Sequence, residues 1–188
     1  MDELYLRLVL AGDASKFSWF VDNYKGMAFS IAYRIVNNRE DAEEIVQDAF
    51  LKAFKSLGKF RRGSKFSTWL YRIVVNTAYT KIRTASLHPD FFDESDAEGV
   101  LIENVDSAYH SLDAAERSAV VNKAMDRLSV DDRLFLTLYY LNENSIEEIT
   151  EITGISRENV KMKLHRARNR MYKVLNGKLK SEISSVLR

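Results

Sequence analysis

The sequence predicts an all-α protein made of two small helical domains joined by an acidic linker, the second domain being a helix-turn-helix. Apolar residues recur at helical spacing along most of the 188 residues, which include only 7 glycines and 1 proline. Residues 1–86 carry a net charge of +5, residues 87–115 carry −8 with no Lys or Arg, and residues 116–188 carry +4. Cationic bodies favour polyanionic partners, and an acidic stretch without apolar periodicity favours an extended linker. We therefore expect domains at 1–86 and 116–188, with the linker at 87–115.

The composition argues against several classes of protein. Cysteine is absent, which excludes disulfides and thiolate metal sites, and the histidines are scattered at His88, His110 and His165. No nucleophile elbow or His-x-x-x-His pair occurs, so a helical hydrolase is disfavoured and no catalytic residue, metal or cofactor is expected. No secretory signal and no apolar run of about 20 residues is seen, so we expect a cytoplasmic protein that is not an integral membrane protein.

Residues 145–174 carry the pattern of a helix-turn-helix. Ser145 and Glu148 can form a capping box at the start of a first helix, and Gly154 suits the turn that ends it. Ser156 can cap a second helix, whose apolar stripe is flanked on both sides by Lys and Arg. Such a helix fits the major groove of DNA, with cations placed for phosphates. A solvated basic helix in an ordinary bundle would show the same charges, so the pattern alone leaves both interpretations open.

The first domain combines an amphipathic helix with a basic and aromatic segment. A helix is predicted over residues 39–57 with Asn38 as its N-cap, a loop over residues 58–67, and a further helix over residues 68–83. The loop reads GKFRRGSKFS, and the helix after it mixes Tyr with Arg and Asn. Single-stranded nucleic acid binding uses this mixture, since bases stack on rings at about 1–3 kcal/mol each while cations track phosphates. Aromatic stripes also belong to protein cores, so this interpretation too has an alternative.

Two weaker signals concern the second domain. Ser129 is a predicted N-cap for a helix that precedes the helix-turn-helix, with carboxylates in its first turn. The polar residues 176–188 are predicted to fray.

Three stretches together resemble one protein family, the bacterial RNA polymerase sigma factors of the extracytoplasmic-function (ECF) class, which belong to the sigma-seventy superfamily. DAEEIVQDAFLKAF at residues 41–54 is similar to the helix with which that family binds the polymerase clamp. FRRGSKFSTWLYRIVVNTA at residues 60–78 resembles its promoter-melting segment. LSVDDRLFLTLYYLNENSIEEITEITGISRENVKMKLHRARNRM at residues 128–171 resembles its promoter-reading domain. The resemblance covers nearly the whole chain in the family's order, and it implies a dissociable specificity subunit of RNA polymerase with no catalysis of its own.

The resemblance implies roles for residues of the first domain. In the family this domain binds the coiled coil of the polymerase clamp, and the matching candidates are Ile45, Gln47, Asp48, Leu51 and Lys52. The same domain melts the minus-ten promoter element and holds an extruded base of the non-template strand, which requires a pocket and stacking surfaces. The matching candidates are Phe60, Arg61, Arg62, Lys65, Phe66, Tyr71, Arg72, Asn76, Tyr79 and Arg83.

The resemblance also implies that the helix-turn-helix reads the minus-thirty-five element. The candidates are Arg157, Glu158, Asn159, Lys161, Met162, His165, Arg166 and Arg168. Arg or Lys could read guanine and Asn adenine. Together with Arg166 and Arg168, Lys163 and Arg170 are expected to meet phosphates or the polymerase flap. The linker would run through the polymerase cleft and RNA exit channel, although a solvated disordered linker would also be acidic.

Departures from the family and a competing hypothesis complete the sequence expectations. The family often has Gly-Thr at the positions of Glu158 and Asn159, which leaves the promoter sequence open. An anti-sigma factor is a further partner that the resemblance implies. The competing hypothesis is a free-standing helix-turn-helix regulator with a helical sensing domain, binding duplex DNA as a dimer. The loop at residues 60–66 counts against it, since a sensing domain has no need to stack bases.

Overall fold

The computed structural model describes residues 1–60, 63–85 and 114–186. Within these residues the chain forms eight α-helices and no strand. The helices are α1 (Asp2–Leu10), α2 (Ser18–Val36), α3 (Arg39–Ser56), α4 (Phe66–Ala85), α5 (Ala114–Met125), α6 (Val130–Leu136), α7 (Ile146–Thr153) and α8 (Arg157–Val186). Short 3-10 turns, Ala14–Phe17 and Leu57–Lys59, precede α2 and follow α3, and a π-helical turn, Thr137–Leu141, follows α6. The predicted all-α class is confirmed.

Helices α1 to α4 form an N-terminal bundle. Its inner faces contribute the fully buried side chains Phe20, Ile31, Ile35, Ile45, Leu70 and Val74. Burying each of these stabilises the fold by about 1.5–3 kcal/mol relative to leaving it exposed. Asn37 ends α2 in the left-handed conformation at φ 51°, which Asn tolerates better than most residues. Asn38 then begins α3, because its side-chain oxygen accepts a hydrogen bond from the Asp41 N–H at 3.0 Å, as predicted for an N-cap.

Helices α5 to α8 form a C-terminal bundle whose last two helices are the predicted helix-turn-helix. The Ser145 Oγ accepts a hydrogen bond from the Glu148 N–H at 3.1 Å, and Glu148 Oε2 accepts one from the Ser145 N–H at 2.8 Å. This capping box begins α7, and Gly154 ends it with φ 77°. Ser129 caps α6 as predicted, accepting from the Asp132 N–H at 3.2 Å.

Helix α8 is longer than the sequence pattern indicates. It continues to Val186, so the prediction that residues 176–188 fray is wrong for most of them. Its apolar stripe does not stop at the helix-turn-helix: Met171 and Val174 pack against Met125 of α5 and Leu128. The contact with α5 gives this part of α8 a surface to pack on, which local polarity does not reveal.

The two bundles pack against each other and share one apolar core. Helix α4 lies against α7 and α2 against α6, and Leu134, Phe135 and Ile149 join the cluster formed by α2, α3 and α4. Arg133 is buried at this contact, where its Nε donates a hydrogen bond to the Arg34 carbonyl at 2.8 Å. The linker predicted at residues 87–115 lies outside the described residues, except for its last two.

Candidate nucleic-acid interface

An aromatic cluster holds the loop that precedes α4. The Phe66 ring centre lies 4.2 Å from that of Phe20 and 5.5 Å from that of Tyr24. The Phe60 ring lies 5.2 Å from Trp69 and 5.9 Å from Phe66. Phe66 is only 3% exposed, so it differs from the sequence expectation and supports the loop from within the core. Phe60 is half-buried.

Two further predicted contact residues lie in the core. Tyr71 is 5% exposed, and its burial raises the pKa of its phenol to about 12. Ile45 is 1% exposed and packs inside the N-terminal bundle. Helix α4 packs against α2 and α3 of its own bundle and against α7 of the other, so its inner face is wider than one stripe. In this structure neither side chain is available to contact DNA or polymerase directly.

The outer side of α4 presents a polar stripe. Arg72, Asn76 and Arg83 are exposed there, at the helical spacing i, i+4 and i+11 that places residues on one side. A cavity of about 340 Å³ lies beside them, lined by Asn76, Arg83, Tyr79 and, from the other bundle, Leu134 and Thr153. All three side chains are exposed, as a direct contact with a strand or a duplex fork would require.

Two further members of the predicted minus-ten set, Tyr79 and Lys65, are bonded to the C-terminal bundle. The Tyr79 hydroxyl donates a hydrogen bond to Asp131 at 2.8 Å. Burial and the Asp131 charge raise the pKa of Tyr79, so the phenol remains a proton donor. Lys65 Nζ lies 2.8 Å from Glu148 Oε1. Arg61 and Arg62 of the same set lie outside the described residues.

The first turns of α8 face solvent with their polar side chains. The predicted minus-thirty-five set is exposed at Arg157, Glu158, Asn159, Lys161, Met162, His165 and Arg168, and half-buried at Arg166. Val160, Leu164 and Ala167 place the opposite, apolar side of α8 in the core. Arg157 pairs with Glu147 of α7 at 2.9 Å. The helix therefore has the two-sided character that a groove-reading helix requires.

Two cations beside this face bond to α6. Lys163 Nζ donates to Asp131 at 2.9 Å, and Arg170 donates to Asp132 at 2.9 and 3.1 Å. Both were expected to meet phosphates or the polymerase flap. In this structure they anchor α8 to α6.

An apolar groove opens between α2 and α3. It encloses a cavity of about 780 Å³ lined mainly by Phe17, Val21, Phe29, Val46, Gln47, Phe50, Leu51 and Phe54. Two predicted polymerase contacts, Gln47 and Leu51, lie on this groove, and Leu51 is 56% exposed. Asp48 and Lys52 are exposed on the same helix, where Lys52 donates a hydrogen bond to Thr77 at 3.1 Å.

Sequence reasoning missed the aromatic members of this groove. Phe54 was not among the predicted polymerase contacts, yet it is exposed on the groove. The available signal was the spacing of Val46, Phe50 and Phe54, which widens the apolar face of α3 from the buried Phe50 to the exposed Phe54.

The described residues add two negative observations. None of their helices combines the length and apolar character needed to cross a bilayer. No group of three or more histidine and carboxylate side chains in the described residues is arranged to hold a metal ion.

Comparison with known families gives two matches, in the order of the two bundles. Residues 20–87 match Sigma-70 region 2, and residues 118–171 match Sigma-70 region 4. Among solved structures, the sigma factor RpoE in complex with the anti-sigma factor NepR from Bartonella quintana superposes with a TM-score of 0.64 at 27% identity, covering 85% of this chain and 96% of that one. CnrH in complex with the cytosolic domain of CnrY gives a TM-score of 0.65 at 20% identity over 94% and 97%, a likeness of fold.

Several relatives are similar over almost their full length. The ECF RNA polymerase sigma factor SigW of Bacillus subtilis strain 168 is 32% identical over 184 residues, covering 90% of this chain and 94% of the relative. The RNA polymerase sigma-H factor of Pseudomonas aeruginosa is 30% identical over 186 residues, covering 95% and 96%. The ECF RNA polymerase sigma-E factor of Escherichia coli K12 is 31% identical over 173 residues, covering 89% and 90%. With both regions matched in order and relatives this similar end to end, the chain belongs to the ECF sigma factors of RNA polymerase.

Proposed function

We propose that this sigma factor binds core RNA polymerase through the α2–α3 groove, melts the minus-ten element with α4 and the loop before it, and reads the minus-thirty-five element with α8. It acts as a non-catalytic specificity subunit in the cytoplasm. The division into domains at 1–86 and 116–188, with a linker at 87–115, is part of the same proposal.

The observation that carries the proposal is the exposed face of α8. Its first turns present cations and amides to solvent, while its apolar stripe is sealed in the core. Arg and Lys can bond guanine and Asn can bond adenine in the major groove, each good bidentate pair contributing about 1–3 kcal/mol of discrimination. An isolated basic helix could serve many purposes, but one held by a capped helix-turn-helix has the geometry for base edges.

The groove supports the polymerase part of the proposal. Leu51 and Phe54 are large apolar side chains left exposed at its edge, and Gln47 adds a polar group beside them. A partner helix with apolar side chains would remove this surface from water. Of the predicted set, Gln47, Asp48, Leu51 and Lys52 are the candidates for direct contact, whereas Ile45 positions α3 from the core.

Contact with melted DNA is assigned to fewer side chains than the sequence indicates. Arg72, Asn76 and Arg83 provide the exposed stripe, and the half-buried Phe60 provides a ring beside the loop. Lys65 and Tyr79 join them once their bonds to the C-terminal bundle are released. Phe66 and Tyr71 support the surface from behind.

We also infer that an anti-sigma factor regulates this protein. The similar sigma factor of Bartonella quintana was solved with the anti-sigma factor NepR. The exposed apolar groove is a surface on which such a partner could compete with polymerase.

The direct test is run-off transcription with bacterial core polymerase on fragments of the source genome, followed by mapping of RNA 5′ ends. We expect transcripts that depend on the added protein and share two upstream elements. A matched preparation carrying Asn159→Ala and Lys161→Ala, two exposed residues in the first turns of α8, should bind core polymerase equally but initiate poorly. A protein that neither joins core polymerase nor changes its start sites would refute the proposal.

A further inference from the structure

A second cavity, of about 390 Å³, opens where α5, α8, the π-helical turn and the end of α2 meet. Its volume lies within the range of about 300–1,000 Å³ that is usual for small-molecule sites. We propose that this cavity binds a free fatty carboxylate, that is, an unbranched apolar chain ending in one carboxylate group. The site is a property of the protein alone, so it requires neither DNA nor polymerase.

The inner part of the cavity is apolar. Met125 of α5 and Leu136 of α6 line it and are only 3% and 6% exposed. The half-buried side chains of Val121, Met171 and Leu175 continue the apolar wall. Transfer of a hydrocarbon chain from water to such a wall is favourable, whereas a sugar or a nucleobase would leave polar groups without partners. The wall therefore selects an apolar ligand.

The π-helical turn supplies an exposed apolar rim to the cavity. Tyr140 and Leu141 line it and are 51% and 48% exposed. Single π-helical turns are frequent at functional sites. A bound chain would cover part of this rim, which the free protein leaves in water.

The cavity also carries positive charge. Arg168 of α8 is exposed and Arg34 of α2 is half-buried; both line the cavity, and no described lining residue is acidic. Arg34 donates a hydrogen bond to the Asn122 side chain, and Arg168 Nε donates to the Leu164 carbonyl at 3.3 Å. Each guanidinium has five N–H donors, and these acceptors are uncharged. Donors for a carboxylate therefore remain on both arginines.

The two cavity arginines differ in their partners from neighbouring cations. Lys163 and Arg170 of α8 each pair with a carboxylate of α6 at 2.9 Å. In the described part of the chain, neither Arg34 nor Arg168 forms an ion pair. A half-buried guanidinium loses part of its hydration, and a charge-assisted bond to a ligand would replace it.

A third guanidinium adds to the positive charge beside the cavity. Arg133 is 7% exposed, and its Nε donates to the Arg34 carbonyl at 2.8 Å. Burial lowers the pKa of Arg133; the Asp126 charge opposes this effect, and the Arg34 charge adds to it. An anion beside Arg34 would reduce the repulsion between the two guanidiniums. The charges therefore select a carboxylate over an alcohol of the same chain length.

The chain's own methionines can locate a bound ligand. Of its five methionines, Met125 and Met171 line the cavity, whereas Met1, Met27 and Met162 are exposed elsewhere. Protein isotope-labelled at the methionine methyl groups is titrated with decanoate below its micelle-forming concentration and followed by NMR. We expect saturable shifts of the Met125 and Met171 signals and no shift of the other three. Shifts of all five signals, or of none, would overturn the proposal.

Two further ligands separate the contributions of chain and charge in the unaltered protein. Decanol keeps the chain and should bind about tenfold more weakly than decanoate, because it lacks the charge-assisted bonds. Acetate keeps the charge and should shift neither signal. Equal affinity for decanol and decanoate would overturn the role of the arginines, whatever happens to the stability of any variant.

The matched variants test the arginines directly. Arg34→Gln with Arg168→Gln should weaken decanoate binding about tenfold and leave decanol binding unchanged. The control is Arg39→Gln with Arg127→Gln, which removes two exposed charges from the same two bundles outside the cavity. It should bind decanoate as the wild type does. An equal loss in both variants would show that only net charge matters and would refute the site.

Other occupants of the cavity give different results in the same spectra. If phosphatidylglycerol vesicles shift the Met125 and Met171 signals but decanoate does not, the cavity faces a membrane surface. If only core polymerase shifts them, it takes a protein partner. Either result would overturn the proposal. No step with decanoate needs a promoter, so its failure would leave the proposed sigma function intact.

Discussion

Lys161 and Lys163 lie two residues apart on α8 and have opposite surroundings. Lys161 is exposed on the face that we assign to the minus-thirty-five element. Lys163 bonds to Asp131, and its Nζ lies 5.8 Å from the centre of the Phe135 ring, within the range of a cation–π contact. One lysine is thus available to DNA, while its neighbour stabilises the bundle.

Lys161→Ala should weaken holoenzyme binding to a promoter with an intact minus-thirty-five element by about tenfold, because a base-edge contact is worth about 1–3 kcal/mol. Gel shifts on promoters with an intact or a scrambled element measure this loss of affinity. The control is Lys123→Ala, which removes an exposed lysine of α5. An equal loss on both templates would assign Lys161 to a phosphate instead.

Glu148 gives the contact between the two bundles a dependence on pH. Because its pKa in the folded protein lies below the ordinary value near 4.5, its contribution to stability is present above that value. The contribution is lost as pH falls through the lowered pKa. Glu148→Gln should therefore flatten the dependence of the unfolding free energy on pH below about 4.5. Urea unfolding between pH 3.5 and 7, which are about one unit below and well above that value, would show it; parallel curves for the two proteins would contradict it.

At the level of helices, the α2–α3 groove and the turn between α7 and α8 have separate tasks. The groove exposes apolar side chains, and a partner that covers them would remove this apolar surface from water. The turn instead depends on backbone conformation, since Gly154 has φ 77° and an added Cβ would meet no other atom. A substitution in the groove should affect binding to core polymerase, and a substitution in the turn should affect the free energy of unfolding.

Leu51→Asp should weaken binding to core polymerase at least tenfold, because it places a charge in an apolar contact, while thermal unfolding stays near that of wild type. Leu4→Asp is the matched control: Leu4 is 55% exposed, close to the 56% of Leu51, but lies on α1 outside the groove. Equal loss of binding in both variants would show that the groove is not the polymerase site.

Gly154→Ala should lower the unfolding free energy by about 1–2 kcal/mol, since L-residues are disfavoured at positive φ. Gly26→Ala is its counterpart, because Gly26 lies inside α2 in open space, where Ala should raise the unfolding free energy by about 0.5–1 kcal/mol. Urea unfolding of the two variants checks the opposite signs; a stabilising Gly154→Ala would contradict the turn conformation.

The residues at which helices begin could be predicted from local chemistry. Which side chains of a helix are buried could not always be predicted. The caps at Asn38, Ser129 and Ser145 form as their sequence context indicates. Tyr71 and Arg72 were assigned the same role, yet only Arg72 reaches solvent. The difference arises because Tyr71 lies on the packed side of α4 and Arg72 on its outer side, and the width of the packed side depends on which helices contact α4, which no local pattern reports.

For the whole molecule, the packing of the two bundles is the feature that the sequence did not reveal. The charge pattern predicts two cationic bodies, but their contact depends on Leu134 and Phe135, whose apolar character would suit a core within the C-terminal bundle alone. The candidate site, too, could be predicted only in part. Its exposed members on α8 could be predicted from the helix-turn-helix pattern, whereas the bonds of Lys65 and Tyr79 to acidic side chains could not.

The bond from Arg133 to the end of α2 has a consequence during protein synthesis. The N-terminal bundle leaves the ribosome before residue 133 has been made, so the last turn of α2 is first hydrated by water. At about 5–20 residues per second, the nascent chain spends several seconds with its α4 surface uncovered. A newly made chain can therefore meet polymerase before its two bundles pack together, and its chance of doing so depends on how fast translation proceeds.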